Sequence, residues 1–311
     1  MDPYSVSARV RELAAQNSNW GRFGPADERG TLNLITPEML IRAAGLIRLG
    51  TVFDLGIPLD STGPQPGGQR INPVLLMSQT GAGQRLPGGF HFADDYVFMP
   101  LQAGTQWDAL AHVFYDDQMW NGYPASEITP RGAARNSVDR MSKGIAGRGV
   151  LVDVAGHRGV EQLAAGETIE ADDLDAALAA QGGLSVGPGD VLLVRTGWYG
   201  KFRRDRDRLA FMSAEPGLGP SCVSWLRRRD VAAVASDNWG VEVFAGEDGS
   251  ATLELHMVLI RDMGMPLGEM FDLDALAAHC RQTGTWEFFF CGPPLKFTGA
   301  VGSPVNPLAI T

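Results

Sequence analysis

The spacing of apolar and polar positions changes period several times along the chain, which predicts mixed helices and strands. Val6 to Gln16 has helical spacing and leads into a loop, NWGRFGPADERGTLN. Thr36-Pro37-Glu38 has the form of a helix start, with Thr as N-cap, Pro at the first helical position and an acid in the first turn. The helix it opens puts Met39, Leu40, Ala43, Leu46 and Ile47 on one stripe and is expected to stop near Gly50. Val74 to Met77 and Tyr96 to Leu101 are apolar runs of strand length. The glycine-rich SQTGAGQRLPGG between them lacks a GK[ST] ending and reads as a surface loop or lid. Gly149 to Val154 and Val191 to Arg195 are of buried-strand type, and the amphipathic ADDLDAALAAQGG between them predicts a crossover with parallel pairing. Helices are expected over Ser221 to Arg229, Leu253 to Met263 and Leu273 to Arg281, and strands over Val231 to Ala235 and Thr285 to Cys291. The tail GSPVNPLAIT is too rich in proline for regular structure to be expected. No composition break divides the chain. We therefore expect one α/β domain with a mixed sheet over residues 1–311, with 1–35 as an N-terminal helix and loop packed on it.

Composition narrows the functional classes. The chain has 311 residues, 44% of them apolar, enough for a core without disulfide staples. Asp and Glu number 36 against 26 Lys and Arg, a formal charge of −10, which argues against a nucleic-acid partner. No apolar run approaches the ~20 residues that span a bilayer. The start MDPYSVSARVRELAAQ lacks a basic segment followed by an apolar one, and the three cysteines form no CxxC pair. A cytoplasmic protein acting on a small molecule is expected, with neither nucleic acid nor membrane as partner. GxSxG and a strand-linked GxGxxG are absent, so no serine-hydrolase elbow or classical dinucleotide fold is expected.

Chemistry concentrates in Leu101 to His112, LQAGTQWDALAH. Pro100, Gly104 and Thr105 oppose a helix. In a strand, Gln102, Gln106 and Asp108 share a face, Gly104 leaves space among them, and Thr105 and Trp107 face the other way. His112, four residues after Asp108, swings back to the same pocket if the chain turns there. Three uses compete: a metal site built from carboxylate, imidazole and amide oxygens; a metal-free acid–base pair of Asp108 and His112; and a polar strand face with a hydrogen-bonded histidine.

GTQWDALAH resembles the HxGTHxDxPxH signature of the cyclase and kynurenine formamidase family of metal-dependent hydrolases. Gly104, Thr105, Asp108 and His112 match. Gln102 and Gln106 replace metal-binding histidines, and Leu110 replaces proline. The substituted form, QxxxQxDxxxH, is similar to the motif of the zinc-dependent trans-dienelactone hydrolase branch. NWGRFGPADERGTLNLITPE, SDNWGVEV and the proline-rich tail resemble segments of the larger cyclase-like proteins. The resemblance implies a swivelling β/β/α fold and a homodimer or homotetramer. It also implies a divalent cation, zinc or manganese, held by Gln102, Gln106 and Asp108 with His256 and Glu269. Amide oxygens lend less charge than a carboxylate and donate less well than imidazole, so the glutamines shift the preference towards harder ions such as manganese.

On this reading the protein hydrolyses a lactone, cyclic amide or related acyl bond, with His112 as general base or further ligand. Trp20, Trp107, Trp120 and Asn121 would contact a flat aromatic or conjugated substrate, and Arg22 and Asn33 would hold its carboxylate. Two other readings stand beside it: a metal-free cyclase, isomerase or dehydratase using Asp108 and His112, and a non-catalytic small-molecule binder.

Overall fold

Runs apolar on both faces, Val150 to Val152, Val191 to Val194 and Ala233 to Ala235, are wholly buried and form the middle of one sheet. The computed structural model describes residues 5–245 and 253–311. The first four residues, part of the start MDPYSVSARVRELAAQ, lie outside them. The nine-stranded sheet consists of β1 Val52–Asp54, β2 Gln106–Asp108, β3 Ala146–Asp153, β4 Val191–Arg195, β5 Ala233–Ser236, β6 Leu267–Glu269, β7 Glu287–Cys291, β8 Gly302–Pro304 and β9 Leu308–Ile310. Its order is β1-β9-β7-β3-β4-β5-β6-β2-β8. The central β3-β4-β5-β6 are parallel, and the flanking pairs are antiparallel. This is a mixed α/β domain, as expected.

The main helices are α1 Ala8–Asn17, α2 Pro37–Ala44, α3 Ala171–Ala180, α4 Ser221–Arg228, α5 Glu254–His256 with a π-helical continuation Met257–Asp262, and α6 Asp274–Thr283. Apolar side chains of α3, α4 and α5 with its π turn pack on one side of the sheet, and those of α6 pack on the other with Trp107 and Phe288. The β3-α3-β4 crossover is present as its pattern predicts. Thr36 caps α2, its Oγ1 accepting from the Met39 amide at 3.3 Å, but the helix ends at Ala44, short of Gly50. The tail corrects the expectation of irregularity. Pro304 ends β8, which is an edge strand, and Pro307 precedes β9, so neither proline interrupts a ladder. Val74–Gln79 and Asp94–Phe98 form a separate hairpin with every residue exposed, Leu75, Tyr96 and Phe98 among them. Among the described residues no helix is long and apolar enough to cross a membrane.

The N-terminal loop is a clamp on the end of the π turn. The last carbonyls of a helix need outside donors, and here the loop supplies them. Trp20 Nε1 donates to the Arg261 carbonyl (2.7 Å), the Asn19 amide to that of Asp262 (2.9 Å) and Asn19 Nδ2 to that of Met263 (2.9 Å). The Thr31 amide donates to the Gly264 carbonyl at 2.8 Å. Close approach requires glycine at position 30: its φ is +56°, and a Cβ there would lie 1.8 Å from the Gly264 oxygen. Gly30→Ala should lower unfolding free energy by about 2–4 kcal/mol, read as a lower urea midpoint; an unchanged midpoint would contradict the clamp.

Candidate functional site

In β2, Gln106 and Asp108 project to one side and Trp107 to the other, as the period of two requires. β2 lies antiparallel to β6 with Gln106 directly opposite Glu269, so their side chains meet on one face. Gln106 Nε2 donates to Glu269 Oε2 at 2.5 Å and to Asp108 Oδ1 at 3.3 Å. Gln102 does not share the strand. It sits in a turn before β2, and its side chain makes no hydrogen bond to Gln106 or Asp108. The space at Gly104 accommodates Leu59, whose Cδ2 lies 2.6 Å from where a Cβ would stand, and not an ion.

His256 arrives from α5 and completes the cluster. Its Nε2 lies 3.1 Å from Glu269 Oε1 and 3.8 Å from Asp108 Oδ2. Its Nδ1 meets Glu242 Oε1 at 2.5 Å, and Glu242 also accepts the amides of Leu255 and His256 at 2.9 and 2.8 Å. Glu242 thus orients the ring and caps the start of α5 together. Sequence reasoning missed it, because the residue before it, Val241, is left-handed (φ +64°), a conformation no side-chain pattern announces. Met270, directly after Glu269, is left-handed too (φ +56°). The buried Asn238 supports both turns: its Oδ1 accepts from the Val241 amide at 2.9 Å, and its carbonyl accepts from the Met270 amide at 2.9 Å. Backbone strain held this way concentrates at functional sites, and π turns do likewise.

The charges are strongly perturbed. Burial, with the Glu269 charge, pushes Asp108 up to about 6. Burial opposes a charged His256, yet its hydrogen bonds to Glu242 and Glu269 outweigh that and hold the ring well above the usual imidazole range. Burial lowers His112, whose Nε2 stands 3.7 Å from Asp108 Oδ1. A further buried acid, Glu215, accepts from the Trp239 amide and is raised well above the carboxylate range by burial. It too was missed.

Asp108, His256 and Glu269 offer ligand atoms all within 4.8 Å of one another. Asp108 Oδ2 and Gln106 Oε1 are buried without a hydrogen-bond partner, a cost that folding tolerates only when some partner is gained. The donor set, two carboxylates, an imidazole and an adjacent amide oxygen, fits a divalent cation. Its ring nitrogen must lose its proton for that, so proton and cation compete for the same place.

The proposed substrate contacts are occupied elsewhere. Trp107 is fully buried, its Nε1 donating to the Gly292 carbonyl at 2.7 Å, so it packs in the core on the face opposite the cluster. Arg22 pairs with Asp230 at 2.6 Å. Asn33 Nδ2 donates to Asp27 at 2.6 Å, and Trp120 Nε1 donates to the same carboxylate at 3.2 Å. Asn121 Nδ2 donates to the Gly24 carbonyl at 3.0 Å. With Trp20, the residues other than Trp107 fasten the N-terminal loop.

The "Putative cyclase" family model matches residues 53–243. A crystal structure of a novel cyclase is 39% identical, covers 95% of this chain and 100% of its own, and superposes with a TM-score of 0.89. Isatin hydrolase A from Ralstonia solanacearum is 23% identical over 88% of this chain and 97% of its own, with a TM-score of 0.63. A potential metal-dependent hydrolase with cyclase activity is 17% identical over 83% and 98%, with a TM-score of 0.52. The last two show a shared fold. No curated protein matches the sequence.

The pH dependence of the chelated protein reports on the cluster. Asp108 titrates near 6 when folded, against an ordinary 3.8. Its contribution is therefore fully present below pH ~4 and is lost as pH rises through 6. Asp108→Asn should stabilise the chelated protein at pH 8 by on the order of 1–3 kcal/mol, with the gain vanishing towards pH 4. Chemical denaturation at both pH values checks this; equal gains at the two would contradict it.

Proposed function

The chain belongs to the cyclase family, and from that premise we propose that it is a metal-dependent hydrolase of lactones, cyclic amides or related acyl bonds. The observation that carries this is the buried Asp108–His256–Glu269 cluster with its unpartnered carboxylate and amide oxygens. When bound, a divalent cation polarises a carbonyl and lowers the pKa of water. Asp108, His256 and Glu269 would hold it, with the Gln106 amide oxygen adjacent. Such an oxygen-rich set favours manganese over softer ions and is compatible with zinc. Glu242 fixes the His256 tautomer that leaves Nε2 facing the cluster.

His112 is the general base. Burial keeps its ring neutral near pH 7, ready to accept a proton. It takes the proton of the attacking water, and as the acyl C–O or C–N bond breaks it delivers that proton to the leaving heteroatom. Asp108 beside it stabilises the imidazolium formed in between. Gln102 lies outside this set in its turn. The structural similarity to isatin hydrolases supports a small aromatic or conjugated cyclic substrate. The exposed apolar hairpin supports a homodimer or homotetramer.

One observation favours a metal-free acid–base enzyme instead: His256 held charged between Glu242 and Glu269 already balances the cluster. Chelation separates the two readings. On a panel of lactones and cyclic amides, chelated protein should be inactive and recover with added manganese or zinc. Asp108→Asn should lose both metal and turnover. His112→Ala should keep its metal and lose roughly 10²–10⁴-fold in kcat. Full activity after chelation, or unimpaired Asp108→Asn, would overturn the hydrolase reading.

A further inference from the structure

Beside the cluster stands a cation that meets no anion among the described residues. The loop after β1 is fastened to the start of β2: the Ile57 amide donates to Thr105 Oγ1 at 2.9 Å, and Gln65 Nε2 donates to the Ala103 carbonyl at 3.2 Å. Arg70, at the end of that loop, lies over the ring of Trp239, with its guanidinium carbon 5.1 Å from the ring centre. Its side chain makes no hydrogen bond and no ion pair among the described residues, and its Nη1 is buried without an acceptor. Trp239 Nε1 is buried without one as well. Arg22, Arg148 and Arg195, by contrast, each meet carboxylates.

The stack belongs to the catalytic surroundings. The residue after Trp239 is Gly240, where a Cβ would stand 3.7 Å from His256 Cε1. Arg70 is also near enough that its charge lowers the proton affinity of both Asp108 and His112. Glu269 takes donors from Gln106 and His256, Asp108 Oδ1 from Gln106 and Glu215 Oε2 from the Trp239 amide, while Asp108 Oδ2 and Glu215 Oε1 stay unpartnered and meet neither Arg70 nor Trp239 Nε1. Two buried donors side by side, with no acceptor among the described residues, match an acceptor-rich, anionic group. A guanidinium braced on an aromatic face presents its N–H groups to a carboxylate with little loss of freedom.

We propose that Arg70, braced by Trp239, binds a carboxylate of the ligand and thereby selects carboxylates and the rings that open to them. This rests on the hydrolase reading. In ring opening, the water oxygen bonds to the acyl carbon, the ring C–O or C–N bond breaks, and the leaving heteroatom takes the proton. The acyl carbon then carries the carboxylate that Arg70 binds, unless the substrate brings one of its own.

Binding tests this without requiring turnover. The probes are 2-hydroxyphenylacetate, its neutral amide 2-hydroxyphenylacetamide, and benzoate, titrated calorimetrically into metal-loaded protein. Wild type should prefer the two carboxylates to the amide. Arg70→Gln should weaken both carboxylates by roughly 10- to 100-fold and leave the amide unchanged. Arg70→Lys should lie between, and Trp239→Phe should weaken the carboxylates through loss of the indole donor. Should Arg70→Gln fail to fold, the Lys and Phe variants carry the comparison. For the source of the carboxylate, a rise only in the product inhibition constant of Arg70→Gln marks the group formed on opening. A rise in KM confined to carboxylate-bearing rings marks one carried in. Equal carboxylate affinity in wild type and Arg70→Gln, or no preference of wild type for carboxylates, would overturn the proposal. Either result would leave the panel activity to stand or fall by itself.

Discussion

One imidazole ring faces three buried carboxylates. His256 touches Glu242 through Nδ1 and Glu269 through Nε2, and Asp108 lies 3.8 Å away. Acids gathered out of water repel one another and are tolerated only around positive charge. The ring supplies that charge as imidazolium, and on the hydrolase reading a divalent cation would supply it more fully once Nε2 had lost its proton. The site would then be balanced between two occupants, with the rest of the structure holding the ligands still.

The surrounding devices follow from that need. The β2–β6 register sets Gln106 against Glu269. Two left-handed residues, Val241 and Met270, aim Glu242 and Glu269, and Asn238 bonds to both turns. The π turn after His256 displaces carbonyls that the N-terminal loop then satisfies through Asn19, Trp20 and Thr31. A loop distant in sequence thus braces the helix that presents the histidine.

The parts visible in the sequence were those set by local period. β3-α3-β4 could be read because a strand buried on both faces is apolar throughout and an amphipathic helix is not. Gln106 and Asp108 could be paired because strands alternate, and the same alternation sends Trp107 to the core. Gln102 was lost because the strand begins only at Gln106, so the alternation did not extend that far back. Glu242 gave no signal, since its place depends on a left-handed valine. Trp20, Arg22, Asn33, Trp120 and Asn121 look alike in sequence whether they hold a ligand or the protein's own carbonyls and carboxylates. The tail was misread because its prolines fall at strand ends, where no ladder hydrogen bond is lost.

On the hydrolase proposal, a proton and a cation exchange at His256. Calorimetric titration of manganese into wild-type protein at pH 7, in two buffers of different ionisation enthalpy, measures that exchange directly. One ion should bind per chain with net proton release, and both should be lost in Glu269→Gln. Binding without proton release, binding unaffected by Glu269→Gln, or no binding at millimolar metal would contradict it.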